Sequence, residues 1–234
     1  TVSTALTHSV GVKTNGTIWY WGNIASGTFS ITSSIPIQIG SASDWTAISA
    51  GSNHILALKS NGTLWAWGLN NFSQLGLGNT TNMSTPTQVG TATDWDYIQA
   101  GYNSSLAVKK NGTVWIWGNN VEGGLGDGTN TNKNVPTQLA ITNSIKWPNS
   151  TLSNHLMTLK SDGSLWLWGN NANGQLGDGS INNKNIPQRL GTDSDWTDIA
   201  VGRDHSLAIK SDGSLWAWGD KYYAQLGDGK SIFY

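Results

Sequence analysis

GRDHSLAIKSDGSLWAWGDKYYAQLGDG, Gly202 to Gly229, is the stretch on which the fold is decided. In it, His205 to Lys210 and Ser214 to Trp218 are short runs of β-formers on either side of Asp212-Gly213. Asp-Gly between such runs is a strong hairpin signal; it predicts antiparallel pairing through a type I′ turn, with both central residues at positive φ. In Leu215-Trp216-Ala217-Trp218 the two-residue period of a strand puts both Trp on one face and Leu and Ala on the other. Both faces are apolar, as a strand covered on both sides requires.

The pattern recurs along the chain. Trp-Gly stands at Trp21-Gly22, Trp67-Gly68, Trp117-Gly118, Trp168-Gly169 and Trp218-Gly219, in steps of 46, 50, 51 and 50 residues. A turn dipeptide keeps the same register, as Asn15-Gly16, Asn61-Gly62, Asn111-Gly112, Asp162-Gly163 and Asp212-Gly213. Between hairpins come a Gly- and Asn-rich stretch (Gly169 to Asn185), a Pro-bearing segment (Pro187 to Leu190) and Asp195-Trp196-Thr197-Asp198-Ile199. That makes four short strands in about 50 residues and no helix, the size of a β-propeller blade. The expected fold is all-β, a single β-propeller domain over 1–234, with repeats near 1–50, 51–100, 101–151, 152–201 and 202–234. All 14 Trp fall on repeat positions, ten in W-x-W pairs and four at Trp45, Trp95, Trp147 and Trp196, so they read as packing between blades.

Composition removes several functions. Thirteen basic and 14 acidic residues leave a net charge of −1, too little positive field to hold a nucleic acid. No Cys is present, hence no disulfide framework, thiolate metal site or cysteine nucleophile. No apolar run reaches the roughly 20 residues of a membrane span. The chain opens Thr1-Val2-Ser3 and reads as a mature or trimmed product; abundant Gly, Asn, Ser and Thr with sparse Lys and Glu suggest an extracellular or cell-surface location.

GSNHILALKSNGTLWAWGLNNFSQLGLG (Gly51 to Gly78) and the stretch quoted first share G-x-x-H, D/N-G, W-G and Q-L-G in fixed order, and resemble the repeat of the regulator-of-chromosome-condensation family, in particular its secreted prokaryotic members. The first copy lacks Q-L-G, and the third has Ser104 where the others carry His8, His54, His155 and His205. The resemblance implies a propeller, usually of seven blades; with five repeats here, the alternatives are a closed five-blade ring or a part or open form of a larger one. Val2 to Thr4 aligns with Ile199 to Val201 and could complete the last blade, where the chain ends at Ser231 to Tyr234. Open sheet edges could instead pair with another copy, giving a homo-oligomer or filament. The family also implies two further readings, a secreted protein inhibitor of a hydrolase and a guanine nucleotide exchange factor. The second lacks the basic docking tail it needs.

A residue that recurs in every copy is most simply part of the blade. The four His each head the same strand of a different repeat and read as locking their own turns; Lys13, Lys59, Lys109, Lys160 and Lys210 read as a positive ring of solvated strand ends near the turn tips. Asp127-Gly128-Thr129-Asn130 and Asp178-Gly179-Ser180-Ile181 lack the spacing and closing Glu of a calcium loop. No catalytic set stands out, and neither a cofactor nor a metal is expected. The hairpin geometry places the G-x-x-H and W-G ends together, opposite the turn tips. Irregular residues gather there: Ser52, Tyr102 and Arg203 on one side, Phe72, Glu122, Asn173, Tyr222 and Tyr223 on the other. Tyr102, Arg203, Tyr222, Tyr223, Phe72 and Glu122 are the expected binding residues for a protein or glycan partner, on a non-enzymatic scaffold. Among eight N-x-[ST] sequons, which include Asn149, those at Asn15, Asn61 and Asn111 fall on hairpin tips and are candidate glycosylation sites.

Overall fold

The structure, a computed structural model, describes residues 1–26, 29–142, 144–147 and 154–229. The sequon at Asn149, Gly27-Thr28 of the degenerate first copy and the terminal Ser231 to Tyr234 lie outside them. Among the described residues there are nineteen strands and no helix. The strands form five antiparallel meanders. The first comprises β1 (Val2–Thr4), β2 (His8–Val12), β3 (Ile18–Ser26) and β4 (Phe29–Gln38). The second comprises β5 (Trp45–Ala50), β6 (His54–Lys59), β7 (Leu64–Gly68) and β8 (Met83–Gln88). In the third are β9 (Trp95–Ala100), β10 (Ser104–Lys109), β11 (Val114–Gly118) and β12 (Lys133–Leu139). In the fourth are β13 (Ser144–Lys146), β14 (His155–Lys160), β15 (Leu165–Gly169) and β16 (Lys184–Arg189). The fifth has three strands, β17 (Trp196–Val201), β18 (His205–Lys210) and β19 (Leu215–Gly219). Antiparallel sheets repeated in this way are the units of a β-propeller.

Contacts divide the chain into two compact units, residues 1–119 with 132–139, and residues 120–131 with 140–234. In the first unit, Val10, Ile18 and Tyr20 of the first sheet pack against Trp45, Ile48, Ala50 and Trp67 of the second. Leu56, Leu58, Leu64 and Ala66 pack likewise against Trp95, Ile98, Ala100 and Trp117 of the third. In the second unit, Met157, Leu159, Leu165 and Leu167 meet Trp196, Ile199 and Ala208. In these three pairs the following sheet presents a leading face rich in Trp, and the trailing face it covers is rich in Leu on the second and fourth sheets and carries Val10, Ile18 and Tyr20 on the first.

Two expectations change. The Asp-Trp strand opens a sheet instead of closing one: β5 pairs with β6 across the three-residue loop Gly51-Ser52-Asn53, and β1 pairs with β2. A short loop makes the strands it joins antiparallel neighbours, so Val2–Thr4 completes the first sheet and not the last. The hairpin turns also differ from type I′. Gly16 is at φ 77 while Asn15 is not at positive φ, and Gly16 N–H donates to Lys13 O at 2.9 Å, closing a four-residue turn with glycine in last place. Asn15 instead uses its side chain, whose Oδ1 accepts from Thr17 Oγ1 at 2.8 Å, and Thr17 Oγ1 in turn accepts from Trp19 Nε1 at 3.0 Å. The same chain of bonds recurs at Asn61-Thr63-Trp65 and Asn111-Thr113-Trp115.

Candidate functional site

The loops after the second, third and fourth W-G are each organised from inside by a buried asparagine. Asn171 Oδ1 accepts from Leu176 N–H at 2.9 Å, while its Nδ2 donates to Asp178 Oδ1 and to the carbonyls of Ser180 and Asn182, each at 3.1 Å. Asn120 does the same with Leu125, Asp127, Thr129 and Thr131, and Asn70 with Leu75 and Asn79. The Asp127 and Asp178 carboxylates thus serve the loop itself. Burial raises the Asp178 pKa, but bonds from Ser180, Lys184 and Asn171 outweigh it and hold the group down at about 2. The signal for these asparagines was present as W-G-x-N at Asn70, Asn120 and Asn171. Asn is common in all loops, which hides this signal in the sequence.

A polar relay joins the second sheet to the third and, in the other unit, the fourth to the fifth. In the first unit, His54 Nε2 lies 2.9 Å from Ser105 Oγ, which donates to Gln74 O at 2.7 Å; Trp117 Nε1 donates to the same carbonyl at 2.9 Å. Ser105 has one proton and gives it to Gln74, so His54 is the donor of the first bond, a neutral ring protonated on Nε2. In the second unit, His155, Ser206, Gln175 and Trp218 repeat the arrangement at 2.9, 2.8 and 2.9 Å. These histidines therefore clamp the next sheet and do not merely lock their own turns. Burial is the main cause that lowers the pKa of both to about 3.

His8 is the exception. The residue facing it at the serine position is Ile55, and neither ring nitrogen has a partner among the described residues. Its ring also cannot sit as His54 does: a Cβ on Gly51 would come within 2.4 Å of the His54 ring, and the first repeat carries Ala5 at that position. Burial lowers the His8 pKa to about 4.

Lys59, Lys109 and Lys210 are not solvated strand ends, whereas Lys13 is exposed beside the Trp19 ring. Lys109 Nζ lies 5.1 Å from the ring centroids of both Trp95 and Trp115 and 3.0 Å from Asp94, with its side chain 18% exposed. Lys59 has the same three partners in Trp45, Trp65 and Asp44. Two indole faces and a carboxylate draw these ammonium groups inward and offset their charge. Lys109→Met is expected to lower stability by about 1 kcal/mol, read from urea unfolding.

The expected binding residues fall into two groups, one in each unit. In the second unit, β18 and β19 pair His205 with Gly219, and Asp220 N–H donates to Asp204 O at 2.8 Å. Arg203 and the 220–223 loop therefore share one end of the sheet. Arg203 is exposed, with Nε 3.6 Å from Asp204 Oδ2. Tyr222 and Tyr223 are 44% and 72% exposed and stand edge to face at 4.8 Å. Their backbone is fixed by Tyr222 N–H to Asp220 Oδ1 and Tyr223 N–H to Gln225 Oε1, both 2.8 Å. Glu122 is half-buried and Asn173 exposed. In the first unit, Phe72 is 39% exposed and Tyr102 half-buried, but Ser52 is buried, its N–H donating to Gly101 O of the next sheet at 3.2 Å. Asn15, Asn61 and Asn111 are exposed at the opposite, turn-tip ends of their sheets. No cluster of three or more His, Asp or Glu side chains able to hold a metal is found among the described residues.

Residues 61–108, 111–148 and 162–209 match the sequence family described as regulator of chromosome condensation (RCC1) repeat, and 45–74, 95–123 and 196–225 match a second description of the same repeat. No curated protein matches the chain by sequence. Among solved structures it is similar to Prp20p from Saccharomyces cerevisiae, described with its binding properties to Gsp1p and histones, at TM-score 0.83 and 21% identity over 96% of this chain and 58% of that one. It is also similar to yeast RCC1 (Prp20) bound to Kap60, at 0.82 and 21% over 95% and 56%. Human WBSCR16 gives 0.79 and 23% over 98% and 63%. At these identities the likeness is one of fold, and the chain spans little more than half the length of those proteins.

Proposed function

The chain belongs to the regulator of chromosome condensation (RCC1) repeat family, and from that premise we propose that it is a non-catalytic scaffold which binds a protein partner through the loops at the G-x-x-H and W-G ends of its sheets. The observation that carries this reading is the Tyr222-Tyr223 pair, two exposed aromatic rings on a backbone already pinned by Asp220 and Gln225, beside the exposed Arg203. Tyr and Arg are the residue types that dominate binding energy, and a loop ordered before contact loses little entropy on binding. An extracellular or cell-surface setting belongs to the same proposal, with exposed Asn15, Asn61 and Asn111 as acceptors for glycans on the far ends of the sheets.

The test is a pull-down from the source organism's extract, followed by titration of the recovered protein. Tyr222→Ala with Tyr223→Ala is expected to weaken binding by 100-fold or more, on the order of 3 kcal/mol, with unfolding unchanged. Equal affinity for the double variant would overturn the assignment of this loop.

A further inference from the structure

Three of the five hairpin tips carry the same tripeptide: Asn15-Gly16-Thr17, Asn61-Gly62-Thr63 and Asn111-Gly112-Thr113. Asparagine is a thermolabile residue, and its side-chain carbonyl is most open to attack when glycine follows, because glycine has no Cβ to obstruct its own backbone nitrogen. Identical local chemistry makes the three tips a controlled comparison. Any difference in their reactivity comes from the fold.

Within each turn the reacting atoms are held alike. Gly16, Gly62 and Gly112 N–H donate to Lys13, Lys59 and Lys109 O at 2.9, 2.9 and 2.8 Å. Each asparagine Oδ1 accepts from the threonine N–H two residues on, at 3.3, 3.1 and 3.0 Å, and from that threonine's Oγ1 at 2.8, 2.7 and 2.7 Å. The tips differ in what lies across them. Trp45 N–H donates to Gly16 O at 3.1 Å and Trp95 N–H to Gly62 O at 3.2 Å. A Cβ on Gly16 or Gly62 would collide with Ser43 O or Thr93 O, and Gly16 is half-buried and Gly62 buried. At the third tip Asn111 and Gly112 are both exposed, and a Cβ on Gly112 would meet nothing within 4 Å among the described residues. The sequence accounts for the difference. The clasp comes from Asp44-Trp45 and Asp94-Trp95, whereas the first strand of the fourth sheet opens on Ser144, which pairs with Lys160 as Trp45 pairs with Lys59.

The chain also displays the product of such an attack in place. In the fourth and fifth repeats the tip residue is Asp162 and Asp212. Asp162 Oδ1 accepts from Ser164 N–H at 3.0 Å and Ser164 Oγ at 2.5 Å, and Asp212 Oδ1 from Ser214 N–H at 2.8 Å. Trp166 and Trp216 Nε1 donate to those serines at 2.9 and 3.1 Å, as Trp115 Nε1 does to Thr113. A carboxylate therefore replaces the amide without loss to the turn, which draws on Oδ1.

We propose that Asn111 is a site of spontaneous deamidation, which the fold leaves open there and restrains at Asn15 and Asn61. The Gly112 backbone nitrogen forms a bond to Asn111 Cγ as the Cγ–Nδ2 bond breaks, and Nδ2 leaves as ammonia with the Gly112 amide proton. Water then opens the cyclic imide. Attack at Cγ leaves aspartate in an unchanged main chain, the arrangement already present at Asp162. Attack at the main-chain carbonyl leaves isoaspartate, whose main chain runs through Cβ and Cγ and lengthens the turn by one atom. Ammonia leaves, water enters, and each event adds one negative charge.

For the test, chain produced without glycosylation is incubated in mildly alkaline water enriched in heavy oxygen, and the three tip peptides are followed by mass spectrometry. Uptake of the label separates new conversion from aspartate already present. In the folded chain Asn111 is expected to convert at least about tenfold faster than Asn15 or Asn61, the effect of losing a clasp worth about one or two net hydrogen bonds. In urea the clasp is gone and the tripeptides are alike, so the three rates are expected to converge. Asn111→Asp is expected to unfold at the same urea concentration as the parent chain. Equal rates at the three tips of the folded chain, or no conversion at Asn111, overturn the proposal. So does a lead at Asn111 that persists in urea, which would belong to the preceding Lys110 and not to the fold. A marked loss of stability in Asn111→Asp contradicts the fit of the product. Neither a partner nor a glycan enters the measurement, so its failure is separate from failure of the proposed function.

Discussion

Trp117→Ala is expected to lower the free energy of unfolding by about 4 kcal/mol, the range for deleting a large buried aromatic. Trp117 is fully buried in the cluster between the second and third sheets, in contact range of Gly76, and its Nε1 satisfies Gln74 O. Alanine removes the packing and opens a cavity between two sheets that have no other material to fill it. Trp117→Phe isolates the polar part: Gln74 O keeps its bond from Ser105, so the loss is expected to be about half as large. Trp216→Ala serves as the control. That ring is 51% exposed, and its removal is expected to cost about 1 kcal/mol. Urea unfolding followed by far-ultraviolet circular dichroism measures all three, and equal losses at Trp117 and Trp216 would refute the assignment of indole rings as inter-sheet packing.

Acid is expected to destabilise the fold well before most carboxylates titrate. His8, His54 and His155 have folded-state pKa values of about 4, 3 and 3, below the 6.5 of an unfolded histidine. For groups shifted in this direction the neutral ring is the stabilised form. Their contribution is complete above pH 6.5 and is lost as pH falls toward the folded values, because the unfolded chain takes up the protons first. Each buried histidine is then expected to cost about 1 kcal/mol per pH unit below 6.5. Burial is the main cause at His54, where the Nε2–H is also committed to Ser105 and a second proton on Nδ1 would find no acceptor among the described residues. His8→Phe removes one of the three titrations and a buried ring with no hydrogen-bond partner, so it is expected to raise stability at neutral pH by about 1 kcal/mol and to flatten the acid limb. Melting temperature measured from pH 7 down to about pH 4 decides it; stability that holds or rises over that window contradicts the account.

How far the sequence could be read depended on distance along the chain. The hairpin of β18 and β19 spans few residues and announces itself through Asp212-Gly213 and the alternating Leu215-Trp216-Ala217-Trp218. The end of the sheet that carries Arg203, Tyr222 and Tyr223 followed from that hairpin alone. Ser52 was placed with them and is instead buried, because its N–H bonds to Gly101 of the following sheet. The lysines looked like surface charges since nothing local shows that Asp94, Trp95 and Trp115 converge on Lys109.

Sequence by itself determined the all-β repeat, the position of the Asn-Gly and Asp-Gly hairpin turns and the end of each hairpin opposite them, because hairpin geometry is set by neighbours within a few residues. Tertiary structure alone decided which strand opens each sheet, that His54 and His155 reach serines 51 residues away, and that Lys59 and Lys109 are caged. Those outcomes depend on desolvation and on which donor meets which acceptor once faces are stacked, and no local pattern encodes that meeting.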